Sequence, residues 1–331
     1  MDSKLRWGIL ATGKIARRFA VGLAASETGR LVAVGSRTLE SAEAFAADYP
    51  CIPCGSYDKL IHHPEVDAVY IATPHSQHER DIIACARAGK HILSEKPFTL
   101  DFPSAQRAIE AARSAGVFCA EAFMCRFTPD YVAIRDLIRS GRIGEPKLVR
   151  ASFGFASKRG TDNFRFVRAE GGGGLMDVGS YCVQLADWVF NRPAVRSCYA
   201  METAGDGYDA VGSGTVDYGN GLLSFSCAVH LELVNGATIF GTEGRIEMPR
   251  PWFCDQPFVV SHGSPNDPSA VVTSESFHLT TNDLYAYEID AVARQISSGE
   301  ATEHPLTSTL RNMQTLDALR ESAGLSFMPG H

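Results

Sequence analysis

The first third of the chain alternates short apolar runs with helical patterns, and this alternation restricts the fold more than any other feature. Residues 5–10, 31–35, 68–72, 91–93 and 117–120 read as buried strands. Helical patterns run from the turn after Leu10 through Leu23, and over residues 39–47, 77–88 and 102–115. Gly89 and Gly116 stop the last two. Parallel strands need crossover helices, so strand–helix units joined by short turns imply a doubly wound parallel sheet.

After Phe123 the pattern changes. A helix over 131–139 ends near Gly141, and alternating segments follow at 147–155, 194–203, 210–216, 221–229, 236–241, 244–248 and 258–260. Punctuated by glycine and asparagine, they predict a large open, mainly antiparallel sheet, with closing helices at 282–297 and 307–321. The expected fold is therefore α/β, a doubly wound domain over 1–122 followed by an α+β domain over 123–331, in keeping with a chain of 331 residues. These helices are too few to cover both faces of the sheet. An uncovered apolar face marks an interface, so a homodimer or homotetramer formed through residues from about 147 to 260 is expected.

A net charge of -7 argues against nucleic acid or an anionic membrane as partner. No positively charged leader with a long apolar core opens the sequence, and no run approaches the ~18 apolar residues of a membrane span. A cytoplasmic protein is expected, and nine scattered cysteines fit reduced thiols. Cys51-Ile52-Pro53-Cys54 lacks the second ligand pair of a zinc site and reads as an edge strand. His75 and His78 stand one turn apart without an evident carboxylate partner, so no metal is expected.

The first turn carries phosphate chemistry. Backbone N–H groups at a helix N-terminus hold a pyrophosphate only where the residues are small. The G-x-G-x-x-G/A pattern here reads Ala11-Thr12-Gly13-Lys14-Ile15-Ala16, with alanine for the first glycine. A tight turn without ligand is the plainer alternative. At the end of the second strand, where an NAD site places an acidic residue, this chain has Ser36-Arg37-Thr38. A guanidinium and hydroxyls hold a 2′-phosphate that a carboxylate would repel, which points to NADP ahead of NAD.

Two further segments carry candidate chemistry. In Ser94-Glu95-Lys96-Pro97 a lysine leaves the carboxyl end of a strand, where cofactors bind in such sheets, and the proline fixes the turn. An ordinary solvated strand exit is the alternative. Gly171-Gly172-Gly173-Gly174 introduce a helix over 173–190, on which Asp177, Tyr181, Gln184 and Trp188 share one face. Leu175, Val178, Leu185 and Val189 supply its buried side. A carboxylate and a phenol one turn apart suit proton transfer near a ligand. A packed tyrosine and an aspartate favoured by the helix dipole would give the same spacing.

Taken in order, Gly8-x-x-Ala11-Thr12-Gly13-x-Ile15-Ala16, Ala72-Thr73-Pro74-x-x-x-His78, Ser94-Glu95-Lys96-Pro97 and Gly173-Gly174-x-x-Asp177-x-Gly179-x-Tyr181 form a specific set. The chain resembles the glucose–fructose oxidoreductase / inositol dehydrogenase (Gfo/Idh/MocA) family over essentially its whole length. Many members carry histidine where Tyr181 stands. The segment from Asp177 to Gln184, with Glu121-Ala122-x-x-x-Arg126-Phe127-x-Pro129, resembles the branch of dimeric dihydrodiol dehydrogenases and NADP-dependent D-xylose dehydrogenases. Some deoxysugar 3-ketoreductases share the Lys/Tyr pair.

The resemblance implies a Rossmann domain and a catalytic pair, Lys96 and Tyr181, with Asp177 holding a substrate hydroxyl. It implies cofactor contacts from Ala11, Thr12, Gly13, Lys14, Ile15, Ser36, Arg37, Thr73, Pro74, His75, His78, Glu95 and Lys96, and from Arg165 within Asn163-Phe164-Arg165. Arg126 and Trp252 join Asp177 and Tyr181 toward the substrate. A phenol with a pKa of ~10 is a poor base at neutral pH, and a nearby ammonium favours its phenolate. The expected activity is hydride transfer between NADP and a CH–OH carbon of a sugar or cyclic diol. The alternatives are a deoxysugar or keto-sugar reductase, an NAD-dependent glycosidase, and a cofactor-binding sensor without chemistry.

Overall fold

The computed structural model describes residues 4–157, 163–263, 271–298 and 302–325. The chain divides into two compact units, Met1–Phe127 with Asn282–Leu310, and Thr128–Thr281 with Arg311–His331.

In the first unit, β1 (Leu5–Leu10), β2 (Gly29–Gly35), β3 (Ile52–Cys54), β4 (Ala68–Ile71), β5 (His91–Glu95) and β6 (Cys119–Ala122) form one sheet. Its order is β3-β2-β1-β4-β5-β6 and every neighbouring pair is parallel. The order reverses at β1, which places the ligand crevice of such a sheet at the carboxyl ends of β1 and β4. The crossovers contain α1 (Lys14–Ala25), α2 (Leu39–Asp48), α3 (Tyr57–Ile61), α4 (His78–Arg87) and α5 (Phe102–Ser114). Local chemistry sets their starts. Thr38 and Ser56 accept from Ser41 N–H and Lys59 N–H, and Asp101 with Ser104 makes a reciprocal capping box ahead of α5.

In the second unit, α6 (Pro129–Arg139) precedes β7 (Pro146–Gly154), and α7 (Ser180–Phe190) precedes the remaining strands. These are β8 (Arg196–Ala204), β9 (Tyr208–Asp217), β10 (Leu222–Ala228), β11 (Gly236–Gly241), β12 (Gly244–Pro249), β13 (Phe258–His262) and β14 (Thr273–Phe277). The sheet runs β14-β13-β12-β11-β7-β10-β9-β8, antiparallel except where β10 pairs with β7. Val149, Ala151, Leu223, Phe225 and Cys227 are buried on the face against α7.

The chain then returns to the first unit as α8 (Leu284–Ser298), and α9 (Leu306–Ser322) follows. The boundary read from sequence after Ala122 differs from this division because α8 packs on α1. Gly22 permits the approach: a Cβ there would stand 2.3 Å from Tyr285 Cβ. Phe19 stacks on Tyr70 and meets Trp7 and Tyr285 edge-on, so the rings of β1, α1, β4 and α8 form one cluster.

Four local readings differ from the structure. Helix α3 is too short to show a 3.6-residue period, and exposed, polar β14 has no buried alternation to reveal it. Strand β6 begins two residues later than expected, because Val117 N–H first closes α5 on Ala112 O. The helix expected over 173–190 opens as a π-helical turn, Leu175–Gly179, before α7. It is buried on nearly every side, and Val189, expected inside, is only half-buried.

Candidate active site

At the carboxyl end of β1 the backbone turns sharply. Ala11 holds a φ of 80°, the left-handed region that usually calls for glycine, and its N–H bonds Gly35 O at 2.9 Å. Gly13 starts α1 in extended conformation with no side chain capping the helix. A Cβ on Gly13 would meet nothing within 4 Å, and Gly13 and Lys14 are exposed. Free helix N–H groups facing open space are what a pyrophosphate requires. Thr12 and Ile15, in the same turn, are half-buried.

At the end of β2, Ser36 is buried, with its N–H on Cys54 O. Arg37 beside it is exposed and makes no hydrogen bond or ion pair among the described residues. An unpaired guanidinium next to a dinucleotide turn fits a 2′-phosphate. The residues present thus suit NADP.

The carboxyl ends of β4 and β5 are tied together. Thr73 Oγ1 donates to the buried Asp81 at 2.8 Å, and Pro74 leads into a short turn, His75–Gln77, with His75 buried. His78 was expected at the cofactor, but its ring is fully buried. Its Nδ1 stands 3.0 Å from Pro97 O and its Nε2 2.9 Å from Thr73 O, so it braces two loops. Burial pushes its pKa down, against the pull of those carbonyls.

Lys96 leaves β5 through a cis peptide to Pro97 and is 9% exposed. The three residues of this strap are each held by a different side chain. Lys96 N–H donates to Glu95 Oε2 at 3.2 Å, Pro97 O faces His78, and Phe98 N–H donates to Glu121 Oε1 at 2.9 Å. Glu95 is itself anchored by the Tyr70 hydroxyl.

Glu121, on β6 opposite Ser94, is fully buried, as is its partner His304, whose Nε2 lies 3.3 Å from Glu121 Oε2. Burial raises the Glu121 carboxyl to about 8. Sequence reading placed Glu121 in the family pattern without a role and passed over His304, which stands alone between two helices. Arg126, expected at the substrate, is buried in the first unit and donates from Nη2 to Glu303 O at 2.8 Å.

In the second unit the expected residues gather. Asp177 and Tyr181 are buried one turn apart, and Arg165 Nε donates to Asp177 Oδ2 at 2.8 Å. The Arg165 guanidinium also lies over the Phe164 ring at 4.8 Å. Tyr181 stands in an aromatic wall: 5.4 Å from Phe153 and 5.5 Å from Trp252, whose rings stack at 5.7 Å. Trp252 Nε1 donates to Ser152 O. Phe153 went unnoticed in the sequence, since on a strand it is one more inward-facing residue. Among the described residues no group of three or more His, Cys, Asp or Glu could hold a metal ion, and no helix is long and apolar enough to cross a membrane.

An uncapped helix start at the carboxyl end of β1, with the unpaired Arg37 at the end of β2, defines the first unit as a dinucleotide-binding Rossmann domain. The profile of the oxidoreductase family with an NAD-binding Rossmann fold, GFO_IDH_MocA, matches residues 5–123, and that of the GFO/IDH/MocA C-terminal domain matches residues 131–247. The trans-1,2-dihydrobenzene-1,2-diol dehydrogenase of Mus musculus is 32% identical over 98% of each chain, and that of Danio rerio 38% over 78% of each. A 3-ketoreductase from Actinomadura kijaniata, solved with NADP and TDP-benzene, is 28% identical with a TM-score of 0.84, covering 97% of this chain and 98% of its own. The chain belongs to the Gfo/Idh/MocA oxidoreductase family.

The buried Glu121 yields a pH test. Its carboxyl keeps a proton in the folded state up to about 8, whereas the unfolded chain releases it near 4.5. Folding therefore binds a proton between those values, and stability falls as pH rises through them. Glu121→Gln should flatten this slope by up to one proton in urea titrations from pH 5 to 8. Parallel slopes for variant and wild type would refute the assignment.

Proposed function

We propose that this protein is an NADP-dependent dehydrogenase of cyclic diols or sugars, with Tyr181 as acid and base and Lys96 as the charge that favours its phenolate. The observation that carries the reading is the strap holding Lys96: three side chains fix the backbone of Lys96, Pro97 and Phe98 in succession. A binding module has no need to hold a lysine so closely, whereas proton transfer does. Lys96 and Tyr181 are both present, which favours chemistry over a sensor.

When bound, the nicotinamide accepts the hydride in oxidation and supplies it in reduction. The turn of Ala11–Ile15 binds the pyrophosphate through N–H groups, and Ser36 and Arg37 bind the 2′-phosphate. Thr73, Pro74, His75 and Glu95 line the cofactor. Tyr181 Oη takes the alcohol proton as the C–H bond breaks, and returns it to the carbonyl oxygen in reduction. Asp177 orients a substrate hydroxyl, and Arg165 holds that carboxylate through its Nε hydrogen bond. Phe153 and Trp252 pack against Tyr181 as an apolar wall, which suits the apolar face of a cyclic diol. The full-length identity to dihydrodiol dehydrogenases supports a diol, while the likeness to a 3-ketoreductase supports keto-sugar reduction by the same residues in reverse. A screen of trans-dihydrodiols, aldoses and keto-sugars, read by NADPH absorbance, separates the two.

The active form is proposed to be a homodimer or homotetramer made through the second unit's sheet. The outward face was expected to be apolar. It instead mixes Arg150, Ser152, Ser224, Ser226, Thr238 and Glu247, around a depression of about 510 Å³ that exposed Val234 also lines, with an apolar row of Leu148, Leu222 and Phe240, so the contact between copies would be part polar and part apolar.

Three outcomes test this reading. Tyr181→Phe should lower kcat by roughly 10²- to 10⁴-fold while NADP binding survives; near wild-type turnover would place the base elsewhere. Arg37→Asp should weaken NADP by roughly 1.5–3 kcal/mol and leave NAD nearly unchanged, so equal losses for both cofactors would remove Arg37 from the phosphate site. Light scattering at micromolar concentration should give at least twice the chain mass, and a monomer would exclude the proposed assembly.

A further inference from the structure

The helix that carries Asp177 and Tyr181 begins without any local means of capping itself. Its first residues are glycines, and Gly174, at the N-cap position, has no side chain to accept the free N–H groups. A distant carboxylate does this instead. Asp209, on β9, is fully buried, and its Oδ2 accepts Leu175 N–H at 2.6 Å. The Gly174 N–H also bonds this carboxylate.

Several features aim Asp209 at this place. The register of β8 against β9 shifts there: Glu202 pairs with Val211 and Thr203 with Asp209, leaving Ala210 as the extra residue of a bulge. Bulges redirect side chains, and Asp209 and Ala210 are both buried. Tyr199 Oη donates to Asp209 Oδ2 at 2.7 Å and lies 3.2 Å from Cys227 Sγ. Gly173 has a φ of +113°, and a Cβ on it would stand 1.9 Å from Asp209 Oδ1, so only glycine lets the helix start against the carboxylate. The glycine run thus gives up a local cap and gains a remote one.

We propose that Asp209 is the positioning residue of the proton-transfer helix, fixing where the Tyr181 hydroxyl and the Asp177 carboxylate stand by anchoring the residues just before them. The proposal rests on the reading of Tyr181 as acid and base. Asp209 touches neither substrate nor cofactor and acts through the helix start.

The titratable groups facing Asp209 are Tyr199 from β8 and Cys227 from β10, and burial raises the pKa of both, keeping them neutral. From the helix side it meets peptide N–H groups. Burial lifts the Asp209 carboxyl to about 6. Below that pH the anion that draws the helix N–H groups is lost. Turnover should therefore carry an acid limb near pH 6 that Asp209→Asn abolishes.

The test uses the full chain, NADP and trans-1,2-dihydrobenzene-1,2-diol as probe. Asp209→Asn should lower kcat by roughly 2- to 30-fold, the scale of a lost helix cap, with the KM for NADP within about twofold of wild type. In a Tyr181→Phe background the same substitution should add less than about twofold, because both changes act on one group. Unchanged kcat, or the full factor added on top of Tyr181→Phe, overturns the proposal. If Asp209→Asn does not fold, Tyr199→Phe keeps the carboxylate, removes one bond to it and should lower kcat in the same pattern; wild-type kcat there counts against the proposal. Should Tyr181→Phe alone retain turnover, the acid–base reading fails, and amide hydrogen exchange decides the Asp209 proposal by itself. Removing the anchor should speed exchange at residues 174–178 by roughly 2- to 30-fold, and unchanged exchange would end it.

Discussion

Buried carboxyl groups that must be hydrogen-bonded set the backbone around Lys96 and around the helix that bears Asp177 and Tyr181. A carboxyl group removed from water costs several kcal/mol unless donors surround it, and at these places it draws nearby N–H groups or side chains to itself. Glu95 and Glu121 do so for the strap that bears Lys96. Asp209 does so for the start of the helix that bears Tyr181, and Asp177 draws Arg165. A loop tied in this way loses the freedom that loops normally keep, and a catalytic group on it arrives already ordered.

Within the first unit the degree of ordering follows the chemistry each place serves. At the lysine proposed for catalysis the chain is buried, and the backbone of Lys96, Pro97 and Phe98 is hydrogen-bonded to side chains. At the turn proposed to hold the phosphates the groups are left free: Gly13 faces open space and Arg37 stands exposed. Free donors are preorganised by the fold, yet remain hydrated until an anion replaces the water. The histidine between these regions, His78, belongs to the ordered part, since both of its ring nitrogens are taken up by backbone carbonyls.

The second unit uses its sheet in two ways. The face toward α7 is apolar and holds that helix and the π-helical turn before it by packing, with Gly179 letting Cys227 come close. The opposite face alternates serine, threonine and charged residues, with cross-strand pairs such as Ser213 Oγ to Ser226 Oγ at 2.6 Å. With only one apolar row, of Leu148, Leu222 and Phe240, among these polar residues, an interface there would be specified largely by hydrogen bonds and shape. The apolar patch inferred from strand alternation is reduced there to the row of Leu148, Leu222 and Phe240, because the alternation marks chiefly which residues point inward.

Much of this protein was decided by sequence alone, wherever the signal is local. Apolar runs of four to six residues, the glycine and alanine of the first turn, Arg37 in place of an acid and the spacing of Asp177 and Tyr181 are properties of short segments, and the two sheets follow from their periods. Tertiary structure decided whatever depends on partners distant along the chain. Helix α8 rejoins the first unit because Gly22 admits Tyr285, more than 250 residues away in sequence. His78 becomes a brace, Arg126 turns to a backbone carbonyl, and Glu121 meets His304 across the same distance scale. A bulge on β9 makes Asp209 the cap of a helix that begins more than thirty residues earlier. Residue type and spacing say which groups can donate, accept or titrate; only burial and a partner brought in by the fold determine which of them do.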